Sequence, residues 1–117
     1  MNRKQFLGRY GEERAADYLK DLGYEIVERN WRSRIGEIDL IANENGRIVF
    51  VEVKTRSGSD FGHPFEAITL EKVARMRRLA ADWCAVKQVS GIKVRLDAIA
   101  VLVNGGKVSI EHLKQVF

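Results

Sequence analysis

Residues 4–22 place apolar and small side chains at helical spacing and run up to Gly23, a stop signal, which predicts a first helix. Projected at about 100° per residue, Gly8, Gly11, Glu12, Ala15, Ala16, Leu19 and Leu22 share one stripe. Phe6 and Tyr10 fall nearly opposite. The small residues on the stripe predict close packing against a sheet. Residues 24–31 alternate, with Tyr24, Ile26 and Glu28 set against Glu25, Val27 and Arg29, as a strand does. Residues 36–44 and 47–56 read as two strands joined by Asn45-Gly46, a strong hairpin signal. A loop-like patch, Ser57–Pro64, holds the only proline. Residues 70–88 predict a second helix with Thr69 as N-cap and a buried stripe of Leu70, Val73, Met76, Ala80, Trp83 and Cys84. Residues 92–103 and 108–113 are two further strands around Asn104-Gly105-Gly106. The order is helix, three strands, helix, two strands. The first three strands should form an antiparallel meander, and the helical crossover lets the fourth join the sheet in another direction. The expected fold class is an α/β sandwich, a single domain over 1–117 with helices covering a mixed sheet.

Composition narrows this further. A chain of 117 residues with 45% hydrophobic and 31% charged side chains can bury one core, so disorder is excluded as a description. No apolar run approaches the ~20 residues of a membrane span. The start, Met1-Asn2-Arg3-Lys4-Gln5, leads into charged sequence rather than an apolar signal region, so a cytoplasmic location is expected and no membrane partner. One cysteine, Cys84, excludes an internal disulfide and a cysteine-rich zinc site. The net charge of +4 fits a nucleic-acid partner without demanding one. More telling, Lys72, Arg75, Arg77 and Arg78 crowd one segment, and Arg29, Arg32 and Arg34 another.

The hairpin carries the candidate chemistry. If Asn45-Gly46 is a two-residue turn, Glu44 faces Arg47, Ile41 faces Phe50, Asp39 faces Glu52 and Glu37 faces Lys54. Asp39 and Glu52 then form a non-hydrogen-bonded pair with Cβ atoms ~4.5–5.5 Å apart, where like charges repel. Ile41 and Phe50 mark that face as partly buried, which sharpens the repulsion. A hard divalent cation with oxygen ligands would offset it. The bland alternatives are a solvated charged edge or a salt-bridge cluster centred on Lys54. Glu12 adds weight, because it sits on the apolar stripe of the first helix, where carboxylates seldom go unpaired. It reads either as a further metal or supporting ligand or as half of a buried salt bridge. Glu13 projects to the polar side.

These residues resemble a known family. Gly36-Glu37-Ile38-Asp39-Leu40-Ile41-Ala42, followed by Val49-Phe50-Val51-Glu52-Val53-Lys54-Thr55-Arg56, resembles the PD-(D/E)xK nuclease superfamily. With the upstream Gly8-Arg9-Tyr10-Gly11-Glu12 the likeness extends over essentially the whole chain to the bacterial YraN-like family, with archaeal Holliday-junction resolvases as more distant relatives. The superfamily's leading proline is replaced by Ile38. The resemblance implies a restriction-endonuclease-like three-layer sandwich. It also implies a metal-dependent nuclease acting on DNA, with branched or damaged repair and recombination intermediates as candidate substrates. Asp39 and Glu52 match the metal-binding acids, the Val53 carbonyl completes the shell, Lys54 matches the catalytic lysine, and Glu12 matches the helix-1 glutamate. Mg²⁺ or Mn²⁺ is the implied cofactor. The competing expectation is a nucleic-acid-binding module on a nuclease fold without independent catalysis. A resolvase would need two active sites and hence a homodimer.

The remaining candidates are read from position. Lys72, Arg75 and Arg78 lie off the apolar stripe and are expected at phosphates, or else on a plain solvated face. Arg56 and the loop through His63 are expected to border the cleft. His63 reads as a loop residue rather than a ligand, Asp97 as half of a structural ion pair, Trp83 and Cys84 as core. Trp31 reads as core or as a stacking platform. Phe6 and Tyr10 are candidates for a dimer or nucleic-acid contact.

Overall fold

The computed structural model describes residues 2–58 and 62–116; Ser59, Asp60 and Phe61 of the predicted loop lie outside the described residues. Helix α1 (Arg3–Asp21) begins at a reciprocal cap. The Asn2 side chain accepts from the Gln5 N–H at 2.8 Å, and the Gln5 side chain accepts from the Asn2 N–H at 3.1 Å. Gly11, Ala15, Ala16 and Leu19 are its buried stripe. Leu22 is not part of it: as the C-cap residue it has turned off the stripe and is 55% exposed. The small residues bring α1 hard against the sheet. A Cβ on Gly11 would overlap the Thr55 hydroxyl and lie 2.8 Å from the Thr55 Cβ.

Five strands form one mixed sheet in the order β1-β2-β3-β4-β5. They are β1 (Glu25–Ser33), β2 (Gly36–Glu44), β3 (Arg47–Ser57), β4 (Val94–Asn104) and β5 (Lys107–Leu113). β1, β2 and β3 are an antiparallel meander. A bulge at Val27 shifts the β1–β2 register by one residue and leaves that valine exposed. The β2–β3 hairpin turns at Asn45 (φ 52°) and Gly46 (φ 90°), both left-handed as a two-residue primed turn requires. The register set there runs from Glu44↔Arg47 to Leu40↔Val51 and stops. Past that point β2 pairs with β1 as far as Gly36, while β3 pairs in parallel with β4 from Ile48↔Val94 to Ser57↔Val103. The two hairpin strands therefore part company, and the sheet opens between them.

The crossover from β3 to β4 runs through a 3-10 turn (Pro64–Ala67) and α2 (Leu70–Val86). Thr69 caps α2 by accepting from the Lys72 N–H at 3.1 Å. α1 covers one sheet face, its Ala15, Ala16 and Leu19 packing with Leu40, Val49, Val51, Val53 and Ile99. α2 covers the other, its Met76, Leu79, Ala80 and Trp83 packing with Ile41, Phe50 and Leu96. The fold is thus mixed α/β, with helix, sheet and helix stacked. Leu70 is a correction: it is the first residue of α2, hangs past the sheet and is 90% exposed, and Leu79 supplies the apolar contact instead. Cys84 is only partly buried at the edge of that core. Phe6 is exposed and Tyr10 half-buried. Among the described residues no helix is long and apolar enough to cross a membrane.

Towards the hairpin end, Asp97 is fully buried and far better tied than a single ion pair. It accepts from Arg95 Nε (2.8 Å) and Nη2 (2.9 Å), His112 Nε2 (2.7 Å) and the Gln115 N–H (3.2 Å). Burial alone would raise its pKa, but the bonds from His112, Arg95 and Gln115 outweigh it and hold the carboxyl below its ordinary range. Arg95 reaches on to the Tyr24 hydroxyl and Glu44, so this network ties β2, β4, β5 and the residue that precedes β1 together.

Candidate active site

Where β2 and β3 separate, a cleft of about 460 Å³ opens between the N-terminal halves of the two helices. Asp39 and Glu52 line it, together with Glu12 from α1, Glu37 from β2, Val53 and Lys54 from β3, and Lys72 and Arg75 from α2. The acids cluster on the sheet and α1 side, and the cations stand on β3 and α2.

Asp39 is only 7% exposed and its Oδ2 accepts from the Val53 N–H at 2.8 Å. That bond takes up the Val53 N–H, which a continued ladder would have paired with Ile38, two steps beyond Leu40↔Val51. Asp39 and Glu52 are therefore neighbours across an opened seam rather than a ladder pair. Burial first, then a hydrogen bond with the Glu52 carboxyl and its charge, push the Asp39 pKa up to about 9 against the pull of the Val53 N–H. At neutral pH Asp39 consequently keeps its proton and is a donor to the Glu52 carboxyl. The parting of the strands also corrects the place of Glu37. It does not face Lys54 but pairs across β1 with Arg32, at 3.0 Å.

Glu12 lies at the margin of the same acids. Burial and then Glu37 raise its pKa, a hydrogen bond from Asn30 opposes, and Glu52 adds to the rise. It has no ion-pair partner among the described residues, so the buried salt bridge is not formed; the neighbouring Arg29 goes instead to Glu13, at 2.6 Å. Asn30 was not legible as a site residue. Its left-handed backbone (φ 51°) is a conformation asparagine tolerates, and that alone hints at a special position. Among the described residues, no group of three acid, histidine or cysteine side chains is close enough to hold one ion. The expected three-carboxylate set with Glu12 is thus not closed. The oxygen donors at the seam are the Asp39 and Glu52 carboxylates and the Val53 peptide.

Lys54 reaches the cleft without an ion-pair partner among the described residues, which removes the salt-bridge cluster centred on it. Lys72 and Arg75 line the cleft. Arg56 and Arg78 do not. Arg56 lies two residues, ~6.6 Å, further along β3, and its guanidinium turns to the Thr55 carbonyl at 3.4 Å. Arg78 is one helical turn beyond Arg75 and lines a separate groove with Trp31. His63 is not among the residues that line the cleft; it caps the 3-10 turn through Nδ1 and meets Glu111 through Nε2 at 2.8 Å.

The chain aligns with known proteins over nearly its whole length. It is 50% identical over 117 residues to a UPF0102 protein of Beutenbergia cavernae, covering 99% of both chains. It is 51% identical over 115 residues to the UPF0102 proteins of Nocardia farcinica and Clavibacter michiganensis, covering 97% of this chain and 91% and 98% of theirs. A solved structure described as that of SSO0001 aligns over 99% of this chain and about half of that one (54%), at 13% identity and a TM-score of 0.44, too loose a likeness to bear on the site. A family model matches residues 11–101, the segment that holds every acid and cation of the cleft, and the chain belongs to the uncharacterised protein family UPF0102.

Proposed function

We propose that this protein is a metal-dependent nuclease of the PD-(D/E)xK superfamily, with a restriction-endonuclease-like core, that hydrolyses phosphodiester bonds in DNA. The observation that carries the reading is the Asp39–Glu52 pair, a buried aspartate and a glutamate brought together in one cleft at the point where β2 and β3 part. Such a pair is poorly stable alone and well suited to a hard cation, since all its donors are oxygens. Asp39, Glu52 and the Val53 carbonyl would hold Mg²⁺ or Mn²⁺. When bound, the ion would supply Lewis-acid stabilisation of the phosphate and a more acidic water.

The chain's own residues do the rest. The Val53 N–H fixes one Asp39 oxygen, so the carboxylate keeps its orientation when the proton leaves. Lys54 places an unpaired ammonium beside the acids, where it orients the attacking water or holds the scissile phosphate. Lys72 and Arg75 face the acids from α2 and hold flanking phosphates. Glu12, oriented by Asn30, stands outside the ligand set and takes up a hydrogen bond from water at its edge. In the net reaction water adds to phosphorus, the bond to the 3′ oxygen breaks, and the leaving oxygen gains the proton, giving a 5′-phosphate and a 3′-hydroxyl.

The test is cleavage of linear, single-stranded and branched DNA with Mg²⁺ or Mn²⁺ by the wild type, Asp39→Asn and Lys54→Ala. Metal-dependent cleavage lost in both variants is the expected result. Cleavage that survives Asp39→Asn, or a wild type inactive on every form, would sink the reading.

A further inference from the structure

Beside the cleft lies a second hollow, about 780 Å³, between α2 and the β1–β2 turn. Its floor includes Trp31, Ala81 and Val86, and Arg34 and Arg78 stand at its rim. We propose that this groove receives an unpaired strand of the DNA substrate, with a base stacked on Trp31 and adjoining phosphates on Arg34 and Arg78.

The two tryptophans of the chain are used in opposite ways. Trp83 is 4% exposed, its ring lies edge-on to Phe50 and its indole N–H donates to Glu28. Trp31 rests on the α2 core on one side and lines the groove on the other. Among the described residues it has neither a ring contact nor a hydrogen bond to its side chain. A half-buried aromatic ring lining a groove beside cations rewards a planar, anionic ligand. The cations are available: among the described residues neither Arg34 nor Arg78 has an ion-pair partner, whereas Arg32 is tied to Glu37. Asp82 is the one acid in the lining.

The groove also continues the acid cleft. Gly36 lines the cleft and the preceding Ile35 the groove, so the two hollows adjoin at the start of β2. On α2, Arg75 and Arg78 are three residues apart and so are surface neighbours, one serving each hollow. Arg75 bridges the seam, its Cδ 3.6 Å from where a Cβ on Gly36 would stand. A strand whose phosphate lies at Lys54 and Arg75 therefore meets Arg78 and Trp31 next. The occupant is unpaired because bases inside a duplex already stack on each other and offer Trp31 no free face.

The choice of DNA rests on the nuclease reading; binding in the groove does not, since it needs neither Asp39 nor a metal. The experiment is fluorescence anisotropy of the full chain in EDTA with labelled dT20, the same length of duplex, and rU20. The wild type should prefer dT20. Arg34→Gln with Arg78→Gln should weaken dT20 binding at least tenfold and flatten the slope of log K against log salt by about 1.4, two contacts at ~0.7 each. Trp31→Ala should weaken it about tenfold or more, and Trp31→Phe should restore most of the loss. Should Trp31→Ala fail to fold, the arginine pair still decides. Binding of dT20 unchanged in the arginine double variant, or duplex or rU20 bound as tightly as dT20, would overturn the proposal. A wild type that passes these tests in EDTA yet cleaves nothing with Mg²⁺ would remove the nuclease reading and leave the groove standing.

Discussion

Replacing Asp39 with Asn should make the metal-free protein more stable, and the gain should grow with pH. In the folded chain Asp39 keeps its proton to about pH 9, while in the unfolded chain it ionises near 3.8. A group whose folded pKa is raised contributes stability that is complete below 3.8 and is lost as pH rises towards 9. At pH 7 the wild type must hold a proton that the unfolded chain has released. Over the interval from 3.8 to 7, at about 1.4 kcal/mol per pH unit, that costs at most about 4 kcal/mol. Asparagine resembles the protonated acid. Its oxygen accepts from the Val53 N–H, its amide donates to Glu52, and it has no proton to lose. Allowing for relaxation around the seam, the expected gain at pH 7 is about 2 kcal/mol, with upper bound near 4. Urea denaturation followed by circular dichroism in EDTA, at pH 5, 6, 7 and 8, measures it. Titrating groups that do not touch Asp39 cancel in the difference between the two proteins, so the curves should converge near pH 4–5 and separate above. A variant less stable than wild type at pH 7, or a difference flat with pH, would show that Asp39 does not keep its proton.

Three further outcomes follow from other contacts. Gly11→Ala forces a methyl into Thr55 and should destabilise the fold by about 1–3 kcal/mol, partly recovered by adding Thr55→Ala, as read by thermal denaturation. Asp97→Asn leaves Arg95 buried without its main counter-charge and should cost about 3 kcal/mol in the same assay. Because the Asp97 pKa is depressed, its contribution is present above the ordinary carboxylate value and lost as pH falls below it; the acid limb of the wild-type stability curve should flatten in the variant. Lys72→Gln with Arg75→Gln should weaken binding of duplex DNA by tenfold or more and reduce its salt slope by about 1.8, whereas Arg56→Gln, which lies outside the cleft lining, should change both far less.

What could be read from the chain was what local chemistry dictates. Asn45-Gly46 specifies a primed turn, and the turn specifies a register that holds for as long as β2 and β3 remain paired. Thr69 and the small residues of α1 were legible for the same reason, since capping and close approach need particular side chains. The parting of the strands was not legible. It depends on β1 holding the far end of β2 and on β4 claiming β3, contacts between segments distant in sequence. Asp39 and Glu52 do lie together, but as neighbours in the cleft across a gap rather than as ladder partners. Arg75 and Arg78 look alike on a helical projection. Only the placement of the β1–β2 turn against α2 assigns one to the cleft and the other to the groove. Leu22 and Leu70 fit their stripes by angle yet lie at helix ends, past the sheet they were expected to touch.

The central claim is that the Asp39–Glu52 pair is a metal site, and the most direct measurement is Mn²⁺ calorimetry at pH 7 in two buffers of different ionisation enthalpy. Because Asp39 keeps its proton without metal and must lose it to bind a cation, the wild type should bind Mn²⁺ and release about one proton per ion bound. Asp39→Asn should bind far more weakly, with no proton released. Wild-type binding with no buffer dependence, equal binding by the variant, or no binding at all would contradict the account.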